Sequence, residues 1–377
     1  MSSSNAIGFR WLRTGDEAFA AMLPAIEAAT TSIQFEMYIF SASAIGAQFR
    51  DAFVRACQRG ARVRLLIDSF GSFTLSDSFW DPLRKAGGEV RWFNPITLRR
   101  FNIRDHRKLL VCDGRVALIG GFNVAPEWEG DGVARGWADL GLQLDGPMAT
   151  ELSASFDEIF TRADFKHRRF IRLRKRPAKH LAAEQGGELL LSGPGRGYSP
   201  IKKALRKDMA KARAVQIIAA YFLPPRRLRQ AMMRVALDGG RVQLILPGKS
   251  DVPLMQLAAH SLYQPLLRAG VEIYEYQPQI LHSKLIIVDD AVYTGSSNLD
   301  TRSLNINYEL ALRLTDGPLL TEAREIFADY LTRSQQIHRM SWRNSRTFWN
   351  KLKERWAYFF FARLDPYVAR WQLKGMR

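Results

Sequence analysis

Apolar positions recur along this chain in two alternating textures, stripes at helical spacing and short unbroken runs. Ile45, Phe49, Phe53 and Cys57 line one face of a helix, and Gly60 stands where a left-handed residue is wanted to stop it. Val63 to Ile67 then reads as a buried strand. Further on, Leu228, Met232 and Val235 repeat the helical stripe, Gly239-Gly240 end it, and Val242 to Leu246 form the next apolar run. Apolar runs set between amphipathic helices predict an α/β fold with mixed, largely parallel sheets covered on both faces.

The same order of elements occurs twice. TTSIQFEMYIF aligns with ARAVQIIAAYFLPP, which places Tyr38 beside Tyr221. ARVRLLIDS aligns with GRVQLILPG, AGGEVRWFNP with AGVEIYEYQP, and ADLGLQLDGP with YELALRLTDGP. Duplication of one unit accounts for this, and predicts two pseudo-symmetric halves at residues 8–165 and 188–335. A basic stretch without apolar period, 166–187, reads as the connector, and 336–377 as a separate aromatic and basic tail.

Composition narrows the picture. At 377 residues and 47% hydrophobic content the chain is a folded protein with room for both halves. Cys57 and Cys112 stand in no metal-ligand spacing, so reduced thiols are expected. The opening MSSSNAIGFRWLRTGDE has no apolar segment of the signal type, and no apolar run approaches about 18 residues, so neither a cleaved leader nor a spanning helix is expected. A formal net charge of +18 calls for a polyanionic partner, and nucleic acid and an anionic membrane satisfy that equally.

The chemistry lies in a doubled motif. His106, Lys108 and Asp113 repeat as His282, Lys284 and Asp289, each set with the spacing His-x-Lys-x-x-x-x-Asp. Each copy is followed by Gly-x-x-Asn, Gly120 to Asn123 and Gly295 to Asn298. Apolar runs follow both histidines, so the motif is expected on a strand, with His and Lys two positions apart on one face. The aspartates are an odd number of positions from the histidines, so they face away and tie down the turn. Asp139 and Glu309, at equivalent points of a later strand, are then the carboxylates expected to orient the imidazoles. Asn123, Asn298 and Ser296 are expected to donate to the non-bridging oxygens of a phosphodiester whose charge the lysines neutralise. Neither half holds a complete set, so the site is expected between them. The other histidines, His167, His180, His260 and His338, lie outside the repeat and read as structural. No further cluster suggests a metal, and no cofactor is required.

These motifs resemble the phospholipase D superfamily, over roughly residues 8 to 340. The resemblance implies that His106, Lys108, Asp113, His282, Lys284 and Asp289 form the catalytic signature. It also implies that one histidine attacks phosphorus to give a phosphohistidine while the other acts as acid and then base, with His106 favoured as nucleophile. One departure is Gly121, which occupies the place where the second motif has Ser296. FEMYIF, IDSFGS, HRKLLVCDGRVALIGGFN and GSSNLDTRSLNINYE, together with the tail, are similar to bacterial cardiolipin synthases of the B type. That likeness implies transfer of a phosphatidyl group from phosphatidylglycerol to a second lipid or to glycerol. The alternative is a phosphodiesterase hydrolysing phospholipid or nucleic acid; a non-catalytic binding module fits two intact motifs poorly.

The tail favours lipid over nucleic acid. Phe348, Trp349, Leu352, Trp356, Phe359 and Phe360 share one helical face, Lys351, Lys353 and Arg355 lie off it, and Pro366 ends it. Such a helix reads as an interfacial anchor on an anionic phospholipid surface, each nearby cation adding about 1 kcal/mol. The competing reading is a helix packed on the core. The expected location is peripheral, on the cytoplasmic face of a bacterial inner membrane. Phe70, Phe73, Phe79 and Trp80 form a second aromatic segment that either dips into lipid or packs.

Overall fold

The computed structural model describes residues 8–95, 103–163, 187–194 and 199–364. The connector expected at 166–187, apart from Gly187, and the break expected at Pro366 lie outside these residues, as do His167 and His180.

Each half builds one sheet from its apolar runs. The first contains β1 (Gly8–Leu12), β2 (Ser32–Met37), β3 (Arg62–Asp68), β4 (Glu89–Phe93), β5 (Leu109–Cys112), β6 (Val116–Gly120) and β7 (Gly141–Asp145), in the order β1-β7-β6-β5-β2-β3-β4. Its helices are α1 (Gly15–Ala28), α2 (Ala44–Gln58), α3 (Asp81–Lys85) and α4 (Pro147–Phe160). The second contains β8 (Gly187–Ser192), β9 (Ala214–Ala219), β10 (Arg241–Pro247), β11 (Glu272–Tyr276), β12 (Lys284–Val288), β13 (Ala291–Gly295), β14 (Glu309–Leu314) and β15 (Ser334–Ile337), in the order β15-β11-β10-β9-β12-β13-β14-β8. Around it lie α5 (Pro200–Met209), α6 (Arg226–Leu237), α7 (Pro253–His260), α8 (Tyr263–Arg268), α9 (Thr301–Asn305), α10 (Gly317–Thr332), α11 (Arg339–Ser345) and α12 (Phe348–Phe359).

The sheets are mixed, as the pattern predicts, but parallel pairing is confined to β2-β3-β4 and β9-β10-β11. The motif strands return as hairpins, β5 to β6 and β12 to β13, which makes their pairing antiparallel. Asp113 (φ 54°) and Asp289 (φ 47°) take the left-handed conformation at these turns, a conformation that Asn, Asp and Gly adopt at least cost.

Three apolar clusters hold the layers. Phe19, Phe35, Phe49 and Phe53 join α1 and α2 to the first sheet, while Leu205, Met232 and Leu266 join α5, α6 and α8 to the second. A third cluster spans both halves: Leu152 and Phe156 of α4 and Ile326 and Phe327 of α10 pack with Leu109 and Leu142 of one sheet and Leu285 and Leu312 of the other. This shared apolar core fixes one half against the other, which a site divided between them requires. Cys57 and Cys112 are both free thiols.

The α12 helix satisfies both readings of the tail. Ala357 and Glu354 are buried against the second half, where α12 packs along α7. Its other face stays open: Phe348, Trp349 (67% exposed), Leu352, Trp356, Phe359 and Phe360 all meet solvent. In the aromatic segment after β3, Trp80 is buried and Phe79 packs on the first half's core, whereas Phe70 and Phe73 (73% exposed) project outward.

Candidate active site

Two backbone crossings between the halves create the site. Asp105 bridges Tyr308, and Ala138 bridges Leu281. His106 N–H donates to Tyr308 O (3.0 Å) and Tyr308 N–H to Arg104 O (2.9 Å). In the same way His282 N–H donates to Ala138 O (2.7 Å) and Ala138 N–H to Ile280 O (2.9 Å). The residue after each crossing on the far strand is a carboxylate, Glu309 or Asp139. Each imidazole is thereby laid against the carboxylate of the opposite half.

His106 Nδ1 lies 3.1 Å from both Glu309 oxygens, and His282 Nδ1 lies 2.6 Å from Asp139 Oδ2. Donation of Nδ1–H to a carboxylate fixes the tautomer and leaves the Nε2 lone pair free. Both histidines sit just ahead of their strands, in the extended segments held by the crossings. All four groups are buried, as are both lysines.

Lys108 Nζ donates to His106 O (2.8 Å) and lies 4.9 Å from the Tyr38 ring centroid. Lys284 Nζ donates to His282 O and lies 3.1 Å from His282 Nδ1. The expected pairing of His and Lys on one side is therefore realised in both copies. Burial, then repulsion by Lys284, pushes the Lys108 ammonium down to about 7. Burial likewise pushes His106 down to about 4, with the lysines adding to it and Glu309 opposing. His282 and Lys284 are also lowered, chiefly by burial. Asp139 and Glu309 are lowered despite burial, because the imidazoles and lysines facing them favour the ionised form. The lysines are thus lowered by burial, and Lys108 also by Lys284, even though Asp139 and Glu309 face them. An incoming phosphodiester anion would favour their charged forms further.

The neutral donors divide. Asn123 Oδ1 accepts from Ile39 N–H (2.9 Å), which turns its amide nitrogen inward, buried and without a protein partner. Asn298 Oδ1 is likewise buried and unpartnered. Ser296, expected to donate to phosphate, does otherwise: its hydroxyl donates to Glu309 Oε2 (2.5 Å) and accepts from Leu310 N–H (3.1 Å). It braces the carboxylate. Gly121 has no side chain because a Cβ there would run into the Asp139 carboxylate.

Asp113 and Asp289, the third members of the motif, lie at the hairpin turns and face backbone N–H groups. Asp113 accepts from the N–H groups of Thr30 (3.0 Å), Thr31 (2.8 Å) and Ser32 (2.9 Å), and Asp289 from those of Arg213 (3.0 Å) and Ala214 (2.8 Å). Although partial burial works against it, those donors hold the Asp113 carboxyl far below the usual range. Both residues pin the hairpin to the start of the neighbouring strand, as strand parity predicts, so within the motif they hold a scaffolding position.

Several neighbours carry no signal in the motif spacing. Trp128 and Trp137 enclose His282, with ring centroids 5.3 and 5.6 Å away, and Tyr38 meets His106 edge-on at 4.8 Å. Behind the first motif, Arg107 pairs with Glu36 (2.9 Å) and Arg104 faces Asp68 (3.6 Å), both fully buried. The second half has Ser283 and Ala219 where the first has Arg107 and Glu36, so the ionic layer belongs to one half only. The alignment of Tyr38 with Tyr221 was the available signal for the aromatic wall; the tryptophans had none.

Two imidazoles with crossed carboxylates and two buried ammoniums, brought together between duplicated halves, define an enzyme of the phospholipase D type. The family profile described as "Cardiolipin synthase, PLD-like domain" matches residues 22–160 and 205–331, and the chain belongs to that family. Cardiolipin synthase 1 of Bacillus anthracis is 32% identical over 339 residues, covering 86% of this chain and 67% of that protein. Cardiolipin synthase B of Salmonella typhimurium is 31% identical over 368 residues, covering 96% and 89%. Among solved structures, phosphatidylserine synthase of Haemophilus influenzae superposes with a TM-score of 0.70 over 96% of this chain and 94% of its own, at 14% identity, which speaks to the fold alone.

Proposed function

We propose that this phosphatidyltransferase moves a phosphatidyl group from phosphatidylglycerol, or another phospholipid, to a hydroxyl of a second phosphatidylglycerol or of glycerol. The observation that carries the proposal is the crossed pair of imidazole–carboxylate contacts beside two buried lysines. In the first step His106 Nε2 attacks phosphorus, forming a P–N bond as the P–O bond to the departing glycerol breaks. His282, protonated through Nε2, gives its proton to the leaving oxygen. The acceptor hydroxyl then passes its proton to the neutral His282 and attacks phosphorus, breaking the P–N bond. The phosphodiester anion favours the ammonium forms of Lys108 and Lys284, which stabilise the oxyanion in both steps.

The lipid assignment is supported by where the open apolar side chains sit. Phe70 lies over Arg104, 5.2 Å from its guanidinium, on the loop directly after β3, two residues from the carboxylate (Asp68) that accepts from Asp105 N–H. On the other side, Tyr221 beside His282 donates to Asp251 (2.5 Å), which precedes α7, and α12 packs on α7. Both halves thus carry exposed apolar groups on segments linked to the site, Phe70 through Arg104 and α12 through α7, and exposed apolar surface of this kind marks an interaction site. Among the described residues no helix is long and apolar enough to cross a bilayer. Peripheral attachment to an anionic leaflet, on the cytoplasmic face, is the reading that fits these groups and the net charge of +18.

The test is product analysis after incubation with phosphatidylglycerol vesicles and, separately, with single-stranded DNA. Cardiolipin with released glycerol is the expected outcome. Phosphatidate alone, or cleaved DNA with untouched lipid, would overturn the transferase reading. Acid-quenched enzyme should carry label from the donor phosphate on the peptide containing His106.

A further inference from the structure

The two carboxylates that orient the histidines are braced by different chemistry. In the second half Glu309 Oε2 takes the His106 contact at 3.1 Å and also the Ser296 hydroxyl at 2.5 Å. In the first half Asp139 Oδ2 takes His282 at 2.6 Å and also the Trp128 indole N–H at 2.8 Å. One oxygen in each case serves an imidazole and one further donor. The two donors come from different places in the repeat. Gly121 occupies the position of Ser296, and Ser303, five residues after Asn298, occupies the position of Trp128, five residues after Asn123.

This exchange has a steric cause. Asp139 is one methylene shorter than Glu309, so its carboxylate sits closer to its own backbone, where its other oxygen also accepts from Leu140 N–H (2.8 Å). The place a Ser side chain would start is therefore filled by the carboxylate itself. The missing donor has to arrive from elsewhere. It comes from the turn Pro126–Trp128, whose indole is 1% exposed and lies edge-on to His282. An isolated buried carboxylate beside a histidine would otherwise keep an unmatched lone pair and some freedom to rotate.

We infer that Trp128 is a positioning residue for His282, supplying to Asp139 the hydrogen bond that Ser296 supplies to Glu309 in the other half. The inference rests on the proposed role of His282 in phosphatidyl transfer. A second donor on the Asp139 oxygen that meets His282 tempers the basicity of that carboxylate. Removing it makes Asp139 a stronger acceptor and raises the affinity of His282 for a proton. The indole thus sets how readily His282 gives its proton to the leaving oxygen.

The experiment compares Trp128→Phe, Ser296→Ala and a chain with benzothienylalanine at position 128, which keeps the indole shape and lacks the N–H. Ring-15N histidine NMR of the six histidines reads titration and tautomer without substrate, and transfer kinetics are measured in parallel. In both position-128 variants His282 should titrate about one pH unit higher while His106 stays in place. The turnover number kcat should fall about 10- to 100-fold, with KM changed far less. Ser296→Ala should give the mirror result, moving His106 and leaving His282. An unmoved His282 titration in the benzothienylalanine chain would overturn the inference, as would equal movement of both histidines, which would mark general loosening. If Trp128→Phe does not fold, the near-isosteric chain decides. If the parent transfers no phosphatidyl group, the functional proposal fails, yet the titrations still decide the role of Trp128.

Discussion

His106 and Glu309 stand 203 positions apart in the chain, yet Nδ1 of one lies 3.1 Å from the carboxylate of the other. His282 and Asp139 make the reciprocal contact at 2.6 Å. Each half therefore carries an imidazole that only the other half can orient. The repeat supplies two histidines, but the element we propose to work as one is the crossed pair.

Replacing either carboxylate by its amide should leave the fold intact and remove the catalytic tautomer. Asp139→Asn and Glu309→Gln are each expected to lower kcat on the order of 10³- to 10⁴-fold, as loss of an orienting carboxylate does in other histidine sites. Circular dichroism and the melting curve should remain close to the parent's. Activity within about tenfold of the parent in either variant would mean that the contact is incidental to turnover.

Much of this site was legible in the chain, and the reasons differ residue by residue. His106, Lys108, His282 and Lys284 were visible because their spacing repeats at equivalent points of a duplicated unit. Asp113 and Asp289 could be moved to the turns because strand parity is a local rule. Asp139 and Glu309 emerged by position in the repeat, but their crossing did not, since local spacing says nothing about which half a strand will meet. Ser296 was visible and its direction was not: the hydroxyl turns to Glu309 because Leu310 N–H holds its lone pair. Trp128 was invisible as a brace because its partner, Asp139, is brought to it by folding. The tail's apolar stripe was readable from helical spacing, whereas burial of its opposite face depends on Glu354 meeting Arg346 (3.4 Å) and Ala357 meeting the second half's core.

Lys108 offers a test of how much stability the site gives up for function. Its ammonium is fully buried and pushed down to about 7 by burial and by Lys284. Lys108→Met keeps the length and apolar stem and removes the charge. In phosphate-free buffer at neutral pH this variant should melt higher than the parent by about 2 °C or more, while phosphatidyl transfer is abolished. Added inorganic phosphate should raise the melting temperature of the parent and leave that of the variant nearly unchanged. A variant that melts lower than the parent would show that the ammonium is already well compensated in the empty site.

The same groups set the direction of the pH dependence of stability. His106 is depressed from 6.5 to about 4 and Lys108 from 10.5 to about 7, so between each folded and unfolded value the unfolded chain binds more protons. Stability contributed by these groups therefore rises with pH, first from about 4 to 6.5 and then from about 7 to 10.5. Urea midpoints measured across those two windows should climb in the parent. The upper climb should flatten in Lys108→Met and the lower one in His106→Gln. A parent midpoint that falls through both windows would contradict the burial argument.

The open face of α12 predicts a binding defect without a folding defect. Trp349 and Trp356 are exposed and lie on the face opposite to Ala357 and Glu354, so Trp349→Ser combined with Trp356→Ser removes no core contact. Co-sedimentation with vesicles containing phosphatidylglycerol should weaken about tenfold or more, because two indoles no longer enter the interface. The melting temperature should stay within about 1 °C of the parent's, as expected for exposed positions. Binding by the parent should also weaken as salt rises, since the cations around the stripe, Lys351, Lys353 and Arg355, are exposed and act within a Debye length of the surface. Turnover of a short-chain, water-soluble phospholipid should be unaffected, because neither indole belongs to the His106–His282 site. If vesicle binding is unchanged while Phe73→Asp reduces it, the principal lipid contact is the loop after β3 and α12 serves as packing.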